Sequence, residues 1–195
     1  MDRDIELALV TRLRSSDADA FDDVYAAFNT RLFTFLVRLS RRRDVAEDLL
    51  EETWMRLVRH APRLQPDTRL GPWLFTVARN LHLSYVRSRL LEDSVADGLM
   101  SLWPVSLDHS SPFEETAAHE LERRLEHALA TLPVAAREVL LLVAVAGFEP
   151  TDAADVCGVT PQALRQRLHR ARQALARALE RETALPAAVW NEVRS

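Results

Sequence analysis

Apolar residues recur at helical spacing along most of this chain. Ile5, Leu7, Leu9, Val10 and Leu13 mark a first amphipathic segment, and after the polar run at 15–20 the set Phe21, Val24, Tyr25 and Phe28 marks a second. Leu32, Phe35, Leu36 and Leu39 continue on a further apolar face, and Val45, Leu49, Thr53 and Leu57 give another helix after three consecutive arginines. Pro62, Pro66 and Gly71 predict a loop between His60 and Gly71. A long helix follows over Trp73–Arg89, with Trp73, Leu74, Val77, Ala78 and Leu81 as its inward stripe. The period then lapses: Leu91–Pro112 carries Gly98, Pro104, Pro112 and several serines, which predicts a linker. A charged helix over Glu114–Thr131 and an apolar one over Val134–Ala146 precede the last periodic stretch, which Pro186 stops.

That last stretch, Gly147 to Arg172, has the pattern of a helix-turn-helix. A short helix runs to a turn centred on Gly158 and Val159, and a longer Arg-rich helix starts at Thr160 and Pro161. Thr160 suits the cap because its hydroxyl accepts from the first free N–H groups, and Pro161 suits the first helical position because its missing N–H costs nothing there. Leu164, Leu168, Ala171, Leu175 and Leu179 form one stripe. Gln162, Arg165, Gln166, His169, Arg170 and Gln173 point away from it, so one face docks on a core and the other offers donors to base edges and phosphates. Gln162, Arg165 and Gln166, in the first two turns, are candidates for base contact, and Arg167, Arg170 and Arg172 for phosphates.

Composition narrows the class. Four glycines in 195 residues, with Ala, Leu, Arg and Glu abundant, favour an all-α chain. No run of about 18 apolar residues is present, so no membrane insertion is expected. The acidic N-terminus is unlike a signal peptide, and a single cysteine fits a reducing compartment, so a cytoplasmic location is expected. Cys157 reads as a small core residue. No nucleophile–base pair, phosphate-binding glycine loop or metal-ligand spacing is evident, so the chain is not expected to be an enzyme or to need a cofactor, a metal or a small-molecule substrate. The net charge of −4 is unusual for a DNA binder. The charge is in blocks, basic at 41–43, 79–89 and 165–181, acidic at 17–23, 47–52 and 114–126, which suggests separate surfaces for nucleic acid and for a basic protein.

Three blocks carry a family resemblance. Asp44-Val45-Ala46-Glu47-Asp48-Leu49-Leu50-Glu51-Glu52-Thr53-Trp54, then Trp73-Leu74-Phe75-Thr76-Val77-Ala78-Arg79-Asn80, then Leu132-Pro133 with Arg137-Glu138-Val139-Leu140-Leu141-Leu142, Gly147 and Arg167-Leu168-His169-Arg170-Ala171-Arg172 stand in the order found in bacterial sigma factors. The chain resembles an extracytoplasmic-function (ECF) sigma factor, the two-domain subclass of RNA polymerase sigma subunits. Glu51 stands where Gln is usual, Pro150 replaces an aromatic, Gln162-Ala163-Leu164 replaces Gly-Thr-Val and Asp152-Ala153-Ala154 replaces Glu-Ile-Ala. These departures bear on promoter preference more than on fold.

The resemblance implies two small helical domains joined by a flexible linker. Region 2 would be 1–90, the linker 91–113, region 4 114–182 and a tail 183–195. It implies that Asp48, Glu51 and Glu52 dock on core RNA polymerase. It implies that the Trp73 helix, through Arg79, Asn80, His82, Tyr85, Arg87 and Arg89, and the preceding loop, His60 to Gly71, contact the −10 element, and that the helix-turn-helix contacts the −35 element. Core RNA polymerase, promoter DNA and an anti-sigma factor are the implied partners, with Leu102, Trp103, Val105, Val189 and Trp190 as apolar anchors for the last. The alternative is a sigma-like decoy that binds an anti-sigma factor without recognising a promoter; the retained Asn80 and the Arg-rich helix argue against it.

Overall fold

The computed structural model describes residues 2–95 and 117–184, with side chains at 2–91 and 120–181. Residues 96–116 and 185–195, which include most of the expected linker 91–113 and tail 183–195 and the anchors Leu102, Trp103, Val105, Val189 and Trp190, lie outside the described residues. Eight α-helices are described: α1 (Arg3–Arg14), α2 (Ala18–Ser40), α3 (Arg43–His60), α4 (Leu70–Val95), α5 (Ala117–Ala130), α6 (Val134–Ala144), α7 (Pro150–Cys157) and α8 (Pro161–Ala184), with one 3-10 turn over Ala61–Arg63. No strand occurs among the described residues.

Local chemistry sets the ends. Asp2 and Asp17 cap α1 and α2 with their carboxylates, and Asp17 accepts from both Asp19 and Ala20. Arg41 closes α2 in the left-handed conformation, at φ 60°. Helix α4 begins three residues before the expected Trp73 and continues beyond Arg89 to Val95. Its start is held by Glu6 of α1, a buried carboxylate that accepts from the Leu70 N–H at 2.7 Å and from Arg3 at 2.8 Å. The same Arg3 donates to the Asp67 carbonyl at 2.7 Å, so α1 pins the loop that the prolines predicted.

The N-terminal half, α1–α4, packs around Val10, Leu32, Phe35, Leu36, Leu57, Leu70, Leu74 and Phe75; the C-terminal half, α5–α8, packs around Leu141, Leu142, Ala153 and Leu164. The two cores form one continuous apolar cluster. Helix α4 packs on α7, and α2 on α6. Phe148 lies edge-on to Phe75, with ring centres 5.0 Å apart. Gly71 allows this approach: a Cβ there would stand 3.2 Å from the Phe148 ring and 3.3 Å from Phe28.

Arg137 ties the halves at a second point. It is 4% exposed, and its guanidinium donates to the carbonyls of Leu129, Ala130 and Leu132 at the end of α5 and to the Leu39 carbonyl, in the last turn of α2, at 3.1 Å. A buried cation needs such partners, and carbonyls at helix C-termini carry the favourable partial charge. Burial and the nearby Arg41 push the Arg137 guanidinium down to about 10, still charged at neutral pH.

Candidate nucleic-acid interface

The helix-turn-helix forms as the sequence predicts. Gly158 ends α7 at φ 65°, ψ 38°, a left-handed position that glycine adopts without a Cβ penalty. Its N–H reaches the Ala154 and Asp155 carbonyls, and Val159 N–H also bonds Ala154. Thr160 Oγ accepts from the Ala163 N–H at 3.2 Å, and Pro161 is the first residue of α8. Leu164, Leu168, Ala171 and Ala178 are buried, with Leu175 and Leu179 half-buried beside them. Gln162, Arg165, Gln166, Arg167, Arg170 and Arg172 are all exposed. Arg170 is steadied along its own helix by the Gln166 carbonyl, and His169 pairs with Gln173. Cys157 is buried, and burial, with the Glu138 charge next, pushes its thiol up to about 12, so it stays protonated within the core.

Helix α4 departs from expectation on its inner face. Leu74, Phe75, Ala78, Leu81 and His82 are buried, whereas Trp73 and Val77 are half-buried and Trp73 lies at a tilt to the His60 ring, with ring centres 6.3 Å apart. His82, expected on the outward face, is 2% exposed. The reason is that α4 packs on α2 and α3 and also on α7, so its buried sector is wider than a single stripe. Burial, with the Arg137 charge second, pushes the His82 imidazole down to about 4, so the ring is neutral. Tyr85 is half-buried and its hydroxyl accepts from Arg42 at 3.4 Å. Asn80, Arg87 and Arg89 are exposed. Arg79 is largely covered: its guanidinium donates to the carboxylate of Glu138 on α6, in the other half, and to Asn80 Oδ1 at 3.5 Å.

On α3, Val45, Ala46, Leu49, Thr53, Trp54 and Leu57 face inward, while Asp48 and Glu51 are exposed. Glu52 is half-buried, bridged by Arg56 at 3.0 Å and Arg59 at 3.1 Å, and the Arg56 hydrogen bond foremost holds its carboxyl below the usual range. Met55 and Val58 are exposed one and two turns beyond Glu51. The acidic face therefore has an apolar strip running through it. Its signal in the sequence is the 51, 55, 58 spacing on one face.

Arg69, Arg137 and Glu6 stand at structural junctions, a role that the sequence pattern assigned to none of them. Arg69 precedes α4 and forms a two-point pair with Asp152 of α7, both bonds at 2.6 Å. Nothing in the local pattern could reveal a partner 83 residues away. Some of the block charges are answered inside the chain: Arg12 bridges Asp17 and Asp23, Arg43 bridges Glu47, and Arg38 bridges Glu126 at 2.6 Å. No cluster of three or more His, Cys, Asp or Glu suited to a metal occurs among the described residues.

Two family models match this chain, Sigma-70 region 2 over residues 24–92 and Sigma-70 region 4 over residues 122–175. The chain is 38% identical over 154 residues to the ECF RNA polymerase sigma factor EcfG of Rhodopseudomonas palustris, covering 79% of this chain and 81% of that one. It belongs to the ECF family of RNA polymerase sigma factors. The sigma factor CarQ of Myxococcus xanthus is 34% identical over 82% of this chain and 88% of its own length. Among solved structures, the sigma factor RpoE of Bartonella quintana, crystallised with the anti-sigma factor NepR, matches at TM-score 0.71 and 28% identity over 82% of this chain and 96% of that one. That span exceeds either half. This sigma factor accordingly binds core RNA polymerase and recognises promoter DNA, with region 2 carried by α2–α4 and region 4 by α5–α8. No helix among the described residues is long and apolar enough to cross a membrane.

Proposed function

We propose that this sigma factor reads the −35 element as duplex through α8 and the −10 element through α4, and docks on core polymerase through α3. The observation that carries the reading is the division of α8. Its stripe is buried, down to 0% at Leu164 and 1% at Ala171, while Gln162, Arg165, Gln166, Arg167, Arg170 and Arg172 are free to meet a major groove along three turns. Gln162, Arg165 and Gln166 read base edges; Arg167, Arg170 and Arg172 hold phosphates.

On α4, Asn80, Arg87 and Arg89 form the −10 contact set, with Arg79 joining when Glu138 releases it. His82 is a packing residue and Tyr85 a positioning one. On α3, Asp48 and Glu51 give orientation and on-rate toward basic helices of the polymerase, while exposed Met55 and Val58 supply apolar area. Glu52, tied to Arg56 and Arg59, has a smaller part. Strand opening draws on binding energy, because bases captured by the protein offset lost stacking. The chain carries no chemistry of its own, works in the cytoplasm where polymerase is, and is held by an anti-sigma factor; the complex of its Bartonella relative with NepR supports the last point.

Run-off transcription from genomic fragments, with purified core polymerase and this chain, tests the reading. Discrete promoter-dependent transcripts are expected, absent with core alone. A chain that binds core and gives no transcript from any fragment overturns it.

A further inference from the structure

The closed arrangement of the two halves conflicts with simultaneous promoter contact. Elements centred near −35 and −10 are about 25 base pairs apart, roughly 85 Å at about 3.4 Å per pair. A compact chain of this length has a radius of gyration of only about 16 Å. The halves must part for α8 and α4 to reach both elements, so what holds them together sets the threshold for engagement.

Two of the contacts that close the molecule use the basic groups nearest the −10 helix. Arg69, immediately before α4, is held by both oxygens of Asp152 at 2.6 Å. Arg79, on α4 itself, is held by Glu138, whose side chain is only 7% exposed. A carboxylate with two oxygens offers a guanidinium the fork geometry that a phosphate offers. In contrast, the donors of α8 remain exposed. Closure therefore engages two arginines beside and on the −10 helix, Arg69 and Arg79, while Asn80, Arg87 and Arg89 stay exposed. Phe148, seated on Gly71 and against Phe75, fixes the register that aligns both pairs.

We propose that region 4 is an internal inhibitor of region 2: Asp152 and Glu138 occupy, as phosphate mimics, the guanidinium groups of Arg69 and Arg79, which take DNA backbone phosphates when the halves separate. The inference rests on the −10 reading of α4 and adds Arg69 to it. The free sigma factor then binds single strands weakly through region 2, and the latch opens when DNA phosphates replace the two carboxylates. Each of the two exchanges preserves charge pairing at its own guanidinium.

The test uses the full chain with Asp152→Asn, with Arg69→Gln/Asp152→Asn, and with Asp22→Asn as a control for loss of one exposed negative charge. Small-angle scattering reads closure, and anisotropy of a fluorescein-labelled single-stranded 20-mer of mixed sequence reads binding across a salt series. Asp152→Asn is expected to enlarge the radius of gyration and raise affinity for the 20-mer by roughly 5-fold, with a salt slope steeper by about 0.7 for each further phosphate neutralised. The double variant is expected to open equally but to show only about half of that rise in log affinity, because Arg79 alone is then released to a phosphate. Unchanged scattering in Asp152→Asn overturns the latch. Opening with affinity no greater than in Asp22→Asn, or an equal rise in the double variant, overturns the phosphate mimicry. Neither result depends on transcription, so failure of the run-off assay with the unaltered chain is read separately.

Discussion

The Nδ1 atom of His82 is buried without a hydrogen-bond partner among the described residues, and the charge of Arg137 from the other half acts on the ring. Protonation there would place a second cation beside a buried guanidinium. Because the imidazole is pushed down to about 4 from an ordinary value near 6.5, any state that exposes it binds more protons in that window. The folded, closed state is thus fully favoured above about pH 6.5 and loses stability as pH falls toward 4, by up to roughly 3 kcal/mol. His82→Leu should flatten the difference in thermal midpoint between pH 7 and pH 5; an unaltered slope would mean carboxylates carry the pH dependence. At the proposed DNA face, Arg165→Ala and Gln166→Ala should each cost about 1–3 kcal/mol in −35 duplex binding with changed base preference, whereas Arg170→Ala should weaken all sequences alike. Equilibrium binding to a promoter and to its base-substituted variants separates the two patterns. These α8 residues were legible because a strict apolar stripe fixes the opposite face. The inward turn of His82 was not, since periodicity gives the centre of a buried face and not its width, and α7 covers a flank of α4 that only tertiary packing defines.

Element boundaries follow the strength of their chemical signals. Thr160, Pro161 and Gly158 each serve the cap or turn that their chemistry predicts, and the α7–α8 junction agrees with the sequence pattern at each of them. Replacing Gly158 with Ala puts a Cβ at φ 65°, and should lower stability by about 1–2 kcal/mol. Thr160→Ala removes the cap and should cost about 1 kcal/mol, read in the same urea titration. If Gly158→Ala proves neutral, the turn has relaxed out of the left-handed region. Helix α4 has the weaker local signal. Its first residues lie behind Arg69, and its start depends on Glu6 bonding the Leu70 N–H from 64 residues away, a tertiary cap with no local signature. On α3, the acidic face was visible as a charge run, but Arg56 and Arg59, one and two turns on, draw Glu52 partly out of it. Reversal of Asp48 and Glu51 to Arg should therefore abolish co-purification with core polymerase, while Glu52→Gln alone should reduce it only slightly.

At the scale of the whole molecule, the sequence separates two halves by their motifs, yet it carries no sign of how they dock. Contacts such as Arg79 with Glu138, or Arg31 with the Ala146 carbonyl at 3.3 Å, join residues 59 and 115 positions apart, and each charge is equally compatible with solvated surface when only the sequence is read. The net charge of −4 points the same way: acidic blocks that look like docking surfaces for a partner are partly consumed by arginines of this chain. One consequence is cooperative unfolding. Because Phe148 joins the two cores through Phe28, Gly71 and Phe75, the unaltered protein should melt in a single transition, with calorimetric and van't Hoff enthalpies in agreement. Phe148 is only half-buried, so Phe148→Ala should remove about 1–3 kcal/mol of apolar contact, less than a full core truncation. That loss falls on the junction and not on either core. The variant's melt should accordingly split, with the smaller C-terminal half unfolding at the lower temperature and the N-terminal half, whose interior holds Leu32, Phe35 and Leu57, keeping nearly its original midpoint. Two transitions already present in the unaltered chain would show the halves to be thermodynamically independent, and the continuous core would then contribute geometry without coupling.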